Sequence, residues 1–138
     1  MKKLTSFLTL LLFLMFVTQN QAQDWPNFGQ FRSENQSLQP KTAGDHRIVF
    51  MGNSITEHWA NDSATTLFHE GRWINAGISG HTTTDMLARL DRDVLHYSPE
   101  VMVICAGTND VAGNDGYISD EDILQNIFLM DLDHQMVL

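Results

Sequence analysis

The sequence predicts an α/β domain built on a parallel sheet, and three observations carry that expectation. Three short apolar runs, "RIVFMG", "RWINAG" and "EVMVICAG", each end in glycine, as buried strands do where they meet a turn. The stretches between and after them place apolar residues at three- and four-residue spacing, the period of a helix with one buried face. The two kinds alternate, strand then helix, three times over, which calls for parallel strands joined by right-handed crossovers.

Each element has its own warrant. Residues 24–45 are polar and turn-rich, with Pro26, Gly29, Pro40 and Gly44. Phe28, Phe31 and Leu38 are spaced so that part of this lead-in becomes a short helix packing on the domain, which is read as residues 46–130. "RIVFMG" is the first strand. "TEHWANDSATTLFHEG" follows as a helix with Trp59, Leu67 and Phe68 on its apolar side and Gly71 as its stop. "RWINAG" is the second strand. "TTTDMLARLDRDVLHYSP" is the clearest helix: Met86, Leu87, Leu90, Val94 and Leu95 recur on one side, Thr83 or Thr84 caps it, and Pro99 marks its end. "EVMVICAG" is the unbroken apolar run of a strand buried on both faces, with Cys105 as a small buried hydrophobe. "SDEDILQNIFLM" opens a third helix, capped by Ser119, acidic in its first turn, with Ile123, Ile127 and Met130 inward.

Composition narrows the function. The 138 residues carry 17 acidic against 8 basic side chains, a net charge of −9. Met1-Lys2-Lys3, the apolar "LTSFLTLLLFLMFV" and the polar "TQNQAQ" follow the order of a secretory signal peptide over residues 1–23, cleaved near Gln23. The apolar run is shorter than the roughly 20 residues that span a bilayer. The expectation is a secreted or periplasmic protein with no stable membrane span after cleavage. An acidic chain without a Lys/Arg cluster has no electrostatic basis for binding nucleic acid. The single cysteine excludes an intrachain disulfide. No H-x-x-x-H or H-x-H spacing occurs, so neither a metal nor another cofactor is expected.

Ligands of parallel α/β sheets bind outside the carboxyl ends of the strands. The loops leaving those ends are "GNSIT", "GISGHTTT" and "GTNDVAGN", all glycine with small polar residues. Ser54 sits two residues past a strand end, at a turn into a helix whose free N–H groups favour developing negative charge. Taken alone, these five residues favour the plainer reading, a helix cap by Ser54 or Thr56. Gly80 can bring a bare backbone N–H to a substrate oxygen, or merely serve a positive φ angle. Asn109 can supply an amide donor, or merely close an Asx-turn. On one rim the three make a nucleophile with three donors, the parts of an acyl-transfer site. A phosphate cradle is the least supported reading, since no G-x-x-x-x-G-K pattern occurs.

"FMGNSITEHW", "NAGISGHTTTDML" and "VMVICAGTND" resemble, in order and spacing, the first three sequence blocks of the SGNH hydrolases, the GDSL-type esterases and lipases. The resemblance covers roughly Arg47 to Ile127, and the lead-in "DWPNFGQFRSENQSL" is similar to that of exported members. It implies a three-layer α/β/α, flavodoxin-like parallel sheet of strand order 2-1-3-4-5, truncated here to about three strands. It implies that Ser54 is the nucleophile and that the Ser54 N–H, Gly80 and Asn109 form the oxyanion hole. Asn53 stands where the usual block has Asp, at a position outside the catalytic set. The implied reaction is hydrolysis of small acyl esters, carbohydrate acetyl esters or lipid esters among them. The alternative is a non-catalytic module that binds a carbohydrate or acyl ligand on the same rim, where Trp25, Trp59 and Trp73 can offer stacking surfaces, although core packing is the better-supported use for two of them.

The family's fourth signature, D-x-x-H after two further strands, supplies the general base. Asp131-Leu132-Asp133-His134 fits it formally. It follows directly on the third helix, with no strand and no Gly/Pro-rich loop, so the match reads as coincidental and residues 131–138 as an atypical tail. The resemblance fades after "NIFLM", which points to a reading frame lost near Met130. Among the other histidines, His81 is nearest the site and a candidate for substrate contact. His58 reads as pointing from a helix surface, and His46, His69 and His96 as surface or boundary residues. Without a fourth strand, "VMVICA" becomes an exposed apolar edge, and the chain made alone is expected to be poorly soluble or partly disordered.

Overall fold

Three five-residue strands, β1 (Ile48–Gly52), β2 (Trp73–Gly77) and β3 (Val101–Cys105), pair in parallel in the order β2-β1-β3. The computed structural model describes residues 24–61, 68 and 73–137. The expected leader, and Leu67, His69 and Gly71 of the first expected helix, lie outside the described residues. The strand ends are level: Gly52 stands opposite Gly77 on one side and Cys105 on the other. The three loops therefore leave the sheet from one line.

Strand alternation sorts the side chains into two layers. Val49, Met51 and Ala76 face one side, where they pack with Met86, Leu90 and Val94 and with Met130 to form the main core. Those helix residues belong to α3 (Thr83–Asp93), its continuation and α5 (Asp120–Val137). Phe31 and Leu38, which flank α1 (Arg32–Ser37) in the lead-in, pack against the same core, as their spacing suggests. On the opposite face Phe50 gathers Trp59, Phe68 and Trp73 at centroid distances of 5.4, 5.4 and 5.1 Å. Such pairs contribute about 0.5–1.5 kcal/mol each beyond their buried area. Trp59 comes from α2 (Ser54–Asn61), the helix that covers this face. A sheet with helices on both sides is the three-layer arrangement of the flavodoxin-like fold, here with three strands.

Local chemistry moves some expected boundaries. α3 is capped by Thr82 rather than Thr83 or Thr84. Thr82 Oγ1 accepts the Asp85 N–H while the Asp85 carboxylate accepts the Thr82 N–H, a reciprocal capping box. The α geometry stops at Asp93, and Leu95–Tyr97 form a 3₁₀ turn before Pro99. Ser119 caps α5 as expected, its hydroxyl accepting the Asp122 N–H at 3.1 Å. That helix continues without a break to Val137, so Asp131-Leu132-Asp133-His134 lies within it.

β3 departs from the expectation of a strand buried on both faces. Its Met102 and Ile104 reach the main core. Val101, Val103 and Cys105 point to the aromatic face at the sheet edge, where Val101 is 47% and Val103 38% exposed. Cys105 is exposed too, a correction to its reading as a buried hydrophobe. The cause is its side of the strand: α2 packs mainly on β2 and β1 rather than on β3. An unpaired apolar edge templates intermolecular strand pairing. Val103→Lys is therefore expected to suppress concentration-dependent association of the 138-residue chain, read by light scattering on a size-exclusion column. Equal association of both chains would show that the edge is not what joins them.

Candidate active site

Two glycines seat the helix that carries Ser54. A Cβ on Gly52 would overlap the Thr56 side chain, and one on Gly77 would overlap the backbone of Thr56 and Glu57. Bare strand ends thus let the first turn of α2 lie directly on the sheet. Asn75 clamps it there, its Nδ2 donating to the Thr56 carbonyl at 2.6 Å.

Within that turn the cap is Asn53. Its Oδ1 accepts the Ile55 N–H at 3.0 Å, and its carbonyl accepts the Glu57 N–H at 3.0 Å. Ser54 is the first helical residue, half-buried, and its N–H is one of the donors that a helix N-terminus leaves free. The plainer sequence reading, a cap by Ser54 or Thr56, gives way here, because Asn53 already fills that role.

Gly80 adopts φ +85°, and a Cβ there would meet nothing within 4 Å. The turn, not crowding, accounts for the glycine, and the residue lies exposed on the rim. Glu57 binds this loop to α2, accepting the Ser79 N–H at 2.6 Å and the Ser79 hydroxyl. Asn109, in the short helix α4 (Thr108–Val111), turns its amide across to the same loop and donates to the His81 carbonyl at 2.9 Å. It closes no local Asx-turn. The three sequence-predicted residues therefore stand on adjacent, level strand exits, and hydrogen bonds join the loops that bear them.

Beneath the loops lies a group of charges that the sequence reading passed over. Arg89, fully buried, donates from Nη2 to the Ala76 and Gly52 carbonyls at 2.8 and 3.2 Å and from Nε to His81 Nδ1 at 3.0 Å. Its other nitrogen, Nη1, stands 3.7 Å from the buried Asp93 carboxylate. Asp110, also buried, accepts the Thr83 N–H at 3.0 Å and the Thr83 hydroxyl at 2.6 Å, locking the loop after β3 to the start of α3. A T-x-x-D pattern marks the capping box in the sequence. Nothing in "MLARLDRD" marks Arg89 and Asp93 as interior rather than solvated.

His81 is 6% exposed. Burial, with the Arg89 charge adding to it, holds its imidazole down at about 4, while Asp115 and Glu57 pull weakly the other way. Arg89 Nε carries a hydrogen permanently, so Nδ1 must offer its lone pair and the ring is neutral. The remaining histidines stand elsewhere. His46 meets Glu100 at 2.8 Å, His96 faces the Asn35 carbonyl, and His58 is exposed on α2. His69 and the side chain of His134 lie outside the described residues. Among the described residues no group of three or more His, Cys, Asp or Glu side chains is placed to hold a metal ion.

The profile of the GDSL-like lipase/acylhydrolase family matches residues 50–128. The chain belongs to that family. A Bacteroides thetaiotaomicron GDSL-like lipase superposes with a TM-score of 0.78 at 36% identity, over 83% of this chain and 55% of that one. A Bacteroides fragilis protein assigned as an acylhydrolase gives 0.80 at 35% identity, over 84% and 55%. A lipase/acylhydrolase of Enterococcus faecalis gives 0.54 at 29% identity, over 64% and 52%. No curated protein matches the chain. This GDSL-like chain thus spans about half the length of the solved structures it matches.

The buried imidazole gives the GDSL-like domain a pH signature. Between about 4 and the ordinary value of 6.5, the unfolded chain protonates His81 and the folded chain does not. Stability therefore rises with pH through that window and falls on acidification. Asp93, whose carboxyl is raised by burial, contributes with the opposite sign in any variant that keeps it. His81→Gln should flatten the wild-type slope in urea melts across this window. Parallel curves would place His81 in water in the folded chain.

Proposed function

We propose that this chain carries the acyl-transfer half of an exported ester hydrolase, with Ser54 as nucleophile. The observation that carries the reading is the division of labour at the β1 exit: Asn53 caps α2, which leaves Ser54 at the helix N-terminus with no capping duty. The Ser54 Oγ would attack an ester carbonyl, and its negative oxygen would be met by the Ser54 N–H, the Gly80 N–H and the Asn109 amide. A removed donor in such a hole typically costs about 10²–10³ in kcat. Small acyl esters, of carbohydrate or lipid alcohols, suit an open rim of this kind. The leader pattern at residues 1–23 supports export, and no helix among the described residues is long and apolar enough to cross a membrane.

A second reading rests on the histidines. Serine needs a base to become nucleophilic at neutral pH, and the Nδ1 of His81, the one nearest the rim, is taken by Arg89. With no base supplied, the same rim would bind an acyl or carbohydrate ligand without turnover. One variant separates the two. Under the hydrolase reading Ser54→Ala abolishes 4-nitrophenyl acetate hydrolysis and the mass increase left by a fluorophosphonate. Under the binding reading neither signal depends on Ser54. Export has its own check: amino-terminal sequencing of protein recovered from periplasm or medium should begin near Asp24, and an intact Met1 there would refute cleavage.

A further inference from the structure

We propose that Arg89 is a positioning residue of the acyl-transfer site: through His81 it aims the Asn109 amide, and directly it fixes the strand ends from which the Ser54 and Gly80 loops depart. The inference rests on the reading of Ser54, Gly80 and Asn109 given above.

A guanidinium is planar, always charged, and presents its donors in a rigid fork. Arg89 spends that fork on groups from both strands beside the site. Nη2 holds the terminal carbonyl of β1 at Gly52 together with the Ala76 carbonyl of β2. The Gly52 carbonyl also accepts the Ile78 N–H at 3.1 Å, so the exits of β1 and β2 are fastened at one point. Nε takes the third partner, His81 Nδ1. Since Nε only donates, the imidazole is forced into its Nε2–H form, and the ring is held against rotation.

A fixed His81 fixes its own carbonyl, and that carbonyl is what Asn109 Nδ2 donates to. A carbonyl only accepts, so Asn109 must present its NH2 side and cannot flip. One of the two amide hydrogens is then committed, and the other remains for an oxyanion. An asparagine without this contact could turn its oxygen toward the developing negative charge, reversing the sign of its contribution. The remaining groups around the guanidinium, Asp93 and Asp85 on its own helix, stabilise its charge. Asp115 and Glu57, from neighbouring loop and helix, act on His81.

The alternative is a plain core ion pair between Arg89 and Asp93, and it makes different predictions. The experiment is 15N-detected NMR of the histidine rings and asparagine amides in the full chain, as wild type and as Arg89→Met, Arg89→Lys, His81→Gln and His81→Ala. In the wild type His81 should be an Nε2–H tautomer that does not titrate between about pH 5 and pH 8. Loss of the fork should let His81 titrate nearer its ordinary value and should move the Asn109 side-chain amide signals. His81→Gln, whose Oε1 can accept the Arg89 Nε–H, should hold the Asn109 signals near their wild-type places, and His81→Ala should not. If the Arg89 variants fail to fold, the His81 pair decides the matter. A wild-type Nδ1–H tautomer overturns the proposal. So do Asn109 signals that stay put in His81→Ala, or in an Arg89 variant that is merely less stable. Ester hydrolysis is a separate arm. If wild type hydrolyses 4-nitrophenyl acetate, Arg89→Lys should lower kcat about 10²-fold with KM held, the cost of a small misplacement at the reacting centre. If wild type does not, the ester reading fails, and the NMR result still decides how Asn109 is aimed.

Discussion

The absence of side chains at two level strand ends is the constraint on which the rest of the site depends. Gly52 and Gly77 stand opposite each other, and the first turn of α2 occupies the space where their Cβ atoms would be. The helix therefore begins on the sheet rather than beside it. Ser54 inherits its position from that contact, as the first residue past a cap, Asn53, that directly follows Gly52. A glycine-to-alanine change at either strand end would have to lift the helix and with it the serine, because the atoms in the way are backbone or the root of a side chain.

What the glycines allow from above, Arg89 secures from below. Burying a guanidinium and a carboxylate costs several kcal/mol per ion even after relaxation, and this pair is not an ideal one. Arg89 Nη1 and Asp93 Oδ2 approach to 3.7 Å, yet neither completes a hydrogen bond. Burial lowers Arg89 to about 10, so it remains charged at neutral pH. Asp93 recovers part of its cost from Asn35 of the lead-in, whose Nδ2 donates at 2.9 Å. The polar core thus links four parts of the chain that apolar packing alone would leave free to slide: the lead-in, both strand exits and α3.

On the far side of the sheet the organisation thins. β3 carries the Asn109 loop at one end and an uncovered row of Val101, Val103 and Cys105 along its length. The Asn109 side of the rim is therefore built on the least protected strand. Asp110 compensates locally, binding the loop after β3 to the start of α3 through Thr83, and Asn126 of α5 adds a bond to the same Thr83 hydroxyl at 3.0 Å. The loop is tied down by polar contacts to helices although, among the described residues, no strand pairs with the outer edge of β3.

The sequence by itself determined the elements and their alternation. Short apolar runs, the three- and four-residue helical spacing, glycine stops and Ser119 are local signals, and local signals are written in adjacent residues. It also placed Ser54, Gly80 and Asn109 on three strand exits, since topology follows from alternation. The Thr82 cap is legible as T-x-x-D and stands one or two residues before the Thr83 or Thr84 expected there. Tertiary structure decided what depends on neighbours distant in the chain. It decided that Asn53, not Ser54, spends its side chain as the cap, that Cys105 faces out, and that Arg89 and Asp93, written like a solvated helix face, lie inside. Register brings Gly52 and Ala76 within reach of one guanidinium, and no spacing along a single helix can announce that.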